Sequence, residues 1–195
     1  MRVSFASMDG AADGDRYTAR KYFALVEEGL IAPDERVELL DGIIVSMPPQ
    51  VPLHAAGVRR VYAALRQALG NEVVLSSQLP LVASPASVPE PDVCVLRGRL
   101  EDYETQHPTT ALLVVEVSDS TLIQDRLTKS RIYARAGVTN YWIVNLRDRT
   151  VEWFGEPDTM MRVYRTRGVA SGAERLPIDA FPQAAITAGE LLPSS

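Results

Sequence analysis

Residues 112–146, LLVVEVSDSTLIQDRLTKSRIYARAGVTNYWIVNL, decide the fold. Residues 112–117 are almost continuously aliphatic, the texture of a strand buried on both faces. Ser120 is placed to cap a helix running to about Ala136, Gly137 fits its stop, and residues 141–146 form a second buried strand. A strand, helix, strand unit of this length is a crossover, normally right-handed, and it sets its two strands parallel. Winding the helix at about 100° per residue puts Gln124, Thr128, Arg131 and Arg135 on the outside. The inner arc is Leu122, Ile132, Tyr133 and Ala136, and it also holds Asp125 and Lys129. Lys129 is therefore expected to face the sheet that carries Glu116.

Outward from this unit the chain alternates helices and strands. Thr18 caps a first helix with Tyr22, Phe23, Leu25 and Val26 at helical spacing, and Gly29 ends it. Residues 37–40 read as an apolar turn broken at Asp41-Gly42, with a strand over 43–45 that Pro48-Pro49 ends. A second helix starts near Leu53, buries Val58, Val61, Tyr62, Leu65 and Leu69, shows Arg59, Arg60 and Arg66 outward, and closes at Gly70. Strands are expected over 73–76, 78–82 and 92–96. Downstream, 151–154 and 161–166 read as a hairpin turning at Gly155-Glu156-Pro157-Asp158, followed by short β pieces and a last turn near Leu191. The fold class is α/β, a mixed sheet with flanking helices and a C-terminal β-hairpin extension. The domain expected is a single one over 17–195, behind a flexible polar segment 1–16.

Composition narrows the function. With 195 residues, 46% hydrophobic and 23% charged, the chain sits at the globular average and can bury a core. Its longest aliphatic run, 111–115, is far short of the roughly 20 residues of a membrane span, and 1–15 lack a basic-then-apolar signal, so a cytoplasmic location without membrane contact is expected. One cysteine, Cys94, excludes an internal disulfide and reads as a core thiol. A net charge of -5 is the wrong sign for coating nucleic acid, so any such contact must be local.

Three polar residues interrupt the apolar elements. Asp92 opens a strand behind Pro89-Glu90-Pro91, and Glu116 lies within a strand that would ordinarily expel it. A buried carboxylate needs a basic partner or a cation, and two acids from neighbouring strand ends offer the hard oxygens that suit Mg²⁺. Lys129 would bring an ammonium for a phosphate. Plainer roles stand beside these: an ion pair of Glu116 with Arg126 or Lys129, a turn at Asp92, a helix-surface pair Asp125–Lys129, a capping or surface role for His54, and core roles for Tyr133, Tyr141 and Trp142.

Taken in order, the string from Val37 to Val45, His54, Pro91-Asp92-Val93, Val114-Val115-Glu116-Val117-Ser118, Asp125, Lys129, Tyr133 and the string from Ala136 to Val144 resemble the Uma2-type restriction endonuclease family, within the PD-(D/E)xK nuclease superfamily. The resemblance runs from about Tyr17 to Leu192. It implies a restriction-endonuclease-like core and Mg²⁺-dependent hydrolysis of DNA phosphodiesters, with Mn²⁺ able to substitute. It also implies Asp92 and Glu116 as metal ligands with the Val117 carbonyl, and Glu38 as the helix-borne acid that precedes the sheet and supports the reacting water. The superfamily lysine two positions after the acid is replaced by Ser118, and the lysine of the next helix, Lys129, stands in for it. DNA would meet basic residues gathered at one mouth, for which Arg59, Arg60, Arg66, Arg126 and Arg131 are candidates, and a homodimer would suit cutting both strands. The alternatives are a catalytically inactive scaffold or nucleic-acid- or protein-binding module, and a hydrolase of another phosphate substrate.

Overall fold

The computed structural model describes residues 16–194. The segment expected to be flexible, 1–16, lies outside the described residues except for Arg16, whose Nη1 donates to the Asp41 carbonyl at 3.2 Å.

The chain starts with α1 (Ala19–Glu27), in which the Thr18 side chain accepts from the Lys21 amide as the cap requires. A separate hairpin follows, β1 (Val37–Leu40) and β2 (Ile43–Ser46). Here the reading of 37–40 as a turn is corrected. Asp41 (φ 47°) and Gly42 (φ 84°) both occupy the left-handed region, the requirement of a two-residue hairpin turn, so the residues before them pair as a strand. Helix α2 (Pro52–Leu69) comes next.

The main sheet has six strands in chain order: β3 (Val74–Ser76), β4 (Val93–Leu96), β5 (Leu113–Ser118), β6 (Asn140–Asn145), β7 (Thr150–Asp158) and β8 (Val163–Ala170). Only β5 and β6 are parallel, in the register Leu113↔Asn140 to Ser118↔Asn145; the other neighbours are antiparallel. The crossover between them thus confirms the expected mixed sheet. On one face α2 and the short α5 (Ala188–Leu191) cover Val93, Val95, Leu113, Val115, Val117, Trp142 and Val144. On the other, Tyr133 and Val138 of the crossover cover Cys94, Val114, Tyr141 and Ile143. Both faces of β5 are dry, which is why its sequence is apolar without alternation. Gly57 lets α2 come close to the sheet, since a Cβ there would meet Val117 Cγ1 at 2.7 Å.

Three further expectations are corrected. The crossover is α3 (Leu122–Gln124), a π-helical turn (Asp125–Lys129) and α4 (Ser130–Arg135), entered at Thr121 rather than capped by Ser120. Residues 78–82 form no strand: Gln78 has φ 54°, and its amide and that of Leu81 donate to the Pro91 and Pro89 carbonyls instead. The second hairpin turns at 159–162, and Pro157 lies inside β7 opposite Tyr164. Pairing of β7 with β6 stops at Gly155↔Asn140, so past that point β7 has a neighbour on one side only, where a residue without an N–H is tolerated. Among the described residues no helix is long and apolar enough to cross a membrane.

Candidate active site

The site lies where the C-terminal end of β5 meets the N-terminal end of β4. One step beyond the Val93↔Val115 pair, antiparallel register brings Asp92 opposite Glu116, with both side chains on the face covered by the crossover. Both are buried, at 6% and 4% exposure. Asp92 is held at each oxygen. Oδ2 accepts from the Val117 amide at 2.8 Å, while Oδ1 accepts from Gln78 Nε2 at 3.2 Å and lies 3.1 Å from His54 Nε2. The Ser77 hydroxyl donates to its carbonyl at 2.8 Å.

Glu116 Oε1 accepts from Lys129 Nζ at 3.0 Å and from the Tyr133 hydroxyl at 2.6 Å. The same ammonium stands 3.2 Å from Glu38 Oε2, which accepts from the Glu90 amide at 3.3 Å. Lys129 therefore bridges an acid of the sheet and an acid of the small hairpin. It ends the π-helical turn, whose wider winding is a common feature of functional helices. Asp125, at the start of that turn, accepts from the Thr121 hydroxyl at 2.7 Å and presents its carbonyl to Tyr141 at 3.1 Å. The expected inward arc of Asp125, Lys129, Ile132 and Tyr133 is thus buried as one face.

Burial is the largest influence on the Glu116 carboxyl and raises it, Lys129 opposes the rise, and Asp92, Asp125 and Glu38 add to it, so that the group is pushed up to about 8. Burial works against the Lys129 ammonium, but Glu116, Glu38 and Asp125 outweigh it and hold the proton above the ordinary lysine range. Asp92 is desolvated too, yet His54, the Val117 amide and Lys129 keep its carboxyl below the usual range. The hydrogen bond to Asp92 raises His54 in turn. Burial pushes the Cys94 thiol up, as an inert core thiol requires.

One pocket is lined by Glu38, Asp92, Glu116, Val117 and Lys129, so every residue expected at the site borders the same cavity. Glu38 reaches it from β1, not from a helix, which corrects that expectation: the hairpin lays its second residue against the Lys129 ammonium. The ion-pair partner of Glu116 is Lys129; Arg126 instead grips Glu152 at 2.6 Å. None of Arg59, Arg60, Arg66, Arg126 and Arg131 lines the pocket, so the expected basic mouth is not built from them. Two residues make contacts at the pocket beyond the roles read from the sequence, Tyr133 while also being the core aromatic expected. His54 lines the pocket and holds Asp92, and Tyr133, a core aromatic by periodicity, donates to Glu116. A hydroxyl on an otherwise apolar helical arc, level with a buried acid, is the signal that marks Tyr133.

The donor chemistry fits a hard divalent cation. Asp92 and Glu116 line the pocket together with Val117, whose amide donates to Asp92, and Glu116 Oε2 receives no hydrogen bond among the described residues. Among those residues no three His, Cys, Asp or Glu side chains converge as a cage. A cation here would rest on two carboxylates, a carbonyl and water, the partial protein coordination that suits Mg²⁺.

A crystal structure described as a putative nuclease belonging to DUF820 from Anabaena variabilis superposes with a TM-score of 0.65 at 14% identity, over 85% of this chain and 96% of that one, which shows the shared fold. No curated protein matches the chain by sequence. The family model described as "Putative restriction endonuclease" matches residues 20–189, nearly the whole described chain, and the protein therefore belongs to the Uma2 family.

Proposed function

We propose that this chain is a metal-dependent endonuclease that hydrolyses phosphodiester bonds in DNA. The observation that carries the reading is the convergence of Asp92, Glu116, Lys129 and Glu38 on one pocket, with the Lys129 ammonium 3.0 Å from Glu116 and 3.2 Å from Glu38. Asp92, Glu116 and the Val117 carbonyl would hold Mg²⁺, or Mn²⁺ in its place. When bound, the cation supplies Lewis-acid polarisation of a phosphoryl oxygen and makes water a better nucleophile. The chain's own groups do the rest. Lys129 keeps a positive charge in a desolvated site, where it offsets charge growing on the phosphate oxygens. The Val117 amide, Gln78 and His54 fix the Asp92 carboxylate, and Tyr133 fixes Glu116, so neither acid has to reorganise. Glu38 anchors Lys129 from the opposite wall and is placed to orient water. The domain over 17–195 would act as one unit, and a homodimer would bring two such pockets to the two strands.

A second reading, a scaffold without catalysis, draws on the full engagement of Lys129 by two acids, since a structural ion-pair network has the same geometry. Incubating supercoiled DNA with the protein and Mg²⁺ or Mn²⁺ separates the two, with metal binding followed by calorimetry. Nicked or linear product from the wild type, lost in Asp92→Asn and Glu116→Gln together with metal binding, is expected of the nuclease. Absence of both cleavage and cation binding in the wild type leaves the scaffold.

A further inference from the structure

The charges around the pocket do not yet account for how a polyanion enters it. Four carboxylates line it, Glu38, Asp92, Glu116 and Asp119, against two cations that are always charged, Arg36 and Lys129. Lys129 is committed to Glu116 and Glu38, and Asp119 is paired with Arg147 at 3.2 Å. Arg36 differs from all of these. No carboxylate among the described residues pairs with it, and the one hydrogen bond its side chain makes among them is to the Met47 thioether, at 4.0 Å from Nη2. Sulfur is a weak acceptor, so the five-donor fork of the guanidinium is almost entirely unspent.

Its backbone is nevertheless fixed. The Met47 amide donates to the Arg36 carbonyl at 2.9 Å, extending the β1–β2 ladder by one rung beyond Val37↔Ser46. The guanidinium is therefore carried on a strand end and not on a free loop, partly buried at the pocket wall. It lines the pocket together with residues 47–51, which lead from β2 into α2, and with His54 of α2. An unpaired planar fork on a rigid element beside a candidate metal centre matches the bidentate geometry of a phosphate.

We propose that Arg36 is the residue through which this pocket grips a phosphate of the nucleic-acid backbone, next to the bond that is cut. The inference rests on the nuclease reading for the identity of the polyanion, but it concerns binding, not chemistry. The arginine positions the strand, and Lys129 stays with the acids.

The test is binding of a fluorescein-labelled DNA duplex by anisotropy, with Ca²⁺ in place of Mg²⁺, over a range of salt. Wild type is compared with Arg36→Ala, Arg36→Lys and, as a control on α2 away from the pocket, Arg59→Ala. Loss of one charge-assisted contact should weaken binding by about tenfold or more in Arg36→Ala, and make the logarithmic salt slope shallower by about 0.9. Arg36→Lys should keep the slope and recover part of the affinity, and Arg59→Ala should match the wild type. Equal affinity and slope in wild type and Arg36→Ala would overturn the proposal, as would an equal loss in Arg59→Ala. Cleavage by the wild type alongside unchanged Arg36→Ala binding sinks this inference and leaves the nuclease standing. Weakened Arg36→Ala binding without cleavage by any variant does the reverse. Should Arg36→Ala fail to fold by circular dichroism, the salt slope of Arg36→Gln decides the matter.

Discussion

Replacing Lys129 by Met keeps most of the aliphatic stem and removes one buried charge. In the wild type that charge lies 3.0 Å from Glu116 and 3.2 Å from Glu38. Where Glu116 is ionised, each contact is worth about 5 kcal/mol of attraction at an effective dielectric near 20, most of it offset by the several kcal/mol needed to desolvate each ion. The net loss when one partner of a buried network is removed is about 3 to 5 kcal/mol. For a chain of this size that is a fall in melting temperature of about 10 °C. The acid left behind can relieve part of the loss by taking a proton. In both proteins burial holds Glu116 above the 4.5 of a free glutamate side chain, so its contribution to stability falls as pH rises from there to the folded pKa. In the wild type that fall ends near 8; without the ammonium it continues to higher pH. The deficit of Lys129→Met is therefore expected to grow above pH 8 by about 1.4 kcal/mol per unit. Thermal unfolding by circular dichroism at about pH 6 and about pH 9 reads this directly. On the proposed nuclease reading, cleavage should fall by about 10²- to 10³-fold with loss of the charge that would face the phosphate. A variant as stable as the wild type at both pH values, or one that cleaves at the wild-type rate, refutes the reasoning.

Gly57→Ala drives a methyl group to within 2.7 Å of the stiff Val117 side chain, so α2 must move off β5. A loss of about 1 to 3 kcal/mol in a denaturant melt is expected, and an unaltered midpoint would mean that the helix was never close. Tyr133→Phe removes the donor 2.6 Å from Glu116 Oε1, which should cost about 1 to 3 kcal/mol, raise the Glu116 carboxyl further and weaken Mn²⁺ binding at neutral pH; calorimetry indistinguishable from wild type removes the tyrosine from the site. In the metal-free protein the His54 imidazole titrates above the ordinary 6.5, so the His54–Asp92 pair stabilises fully below that value and its contribution is lost as pH rises through the folded pKa. Asp92→Asn should bring the titration, followed by NMR of the ring, back down; an unmoved midpoint contradicts the pairing.

Much of the site was legible because two independent sequence signals intersect. A carboxylate inside an unbroken aliphatic strand is anomalous on burial grounds alone, and the helical wheel of the crossover points Lys129 at it. The wheel survived a π-helical turn because the widened winding ends at Lys129 itself, and Ile132 and Tyr133 remain on the buried arc. Glu38 was recognised but misplaced: a four-residue apolar run has no length to separate strand from helical turn, and only the left-handed backbone at Asp41 and Gly42 settles it. Gly155-Glu156-Pro157-Asp158 carries every mark of a turn, yet lies in β7, because the tolerance for Pro157 depends on where β6 stops pairing.

Local chemistry in the chain thus determined the parallel crossover, the two buried acids and the lysine, since each follows from burial and period within a few residues. What brings Asp92 opposite Glu116, His54 against Asp92 and Glu38 onto Lys129 is pairing between segments up to 91 residues apart, the separation of Glu38 and Lys129. Antiparallel register and the close seat of α2 over Gly57 are properties of assembled surfaces, and no periodicity within one segment carries them.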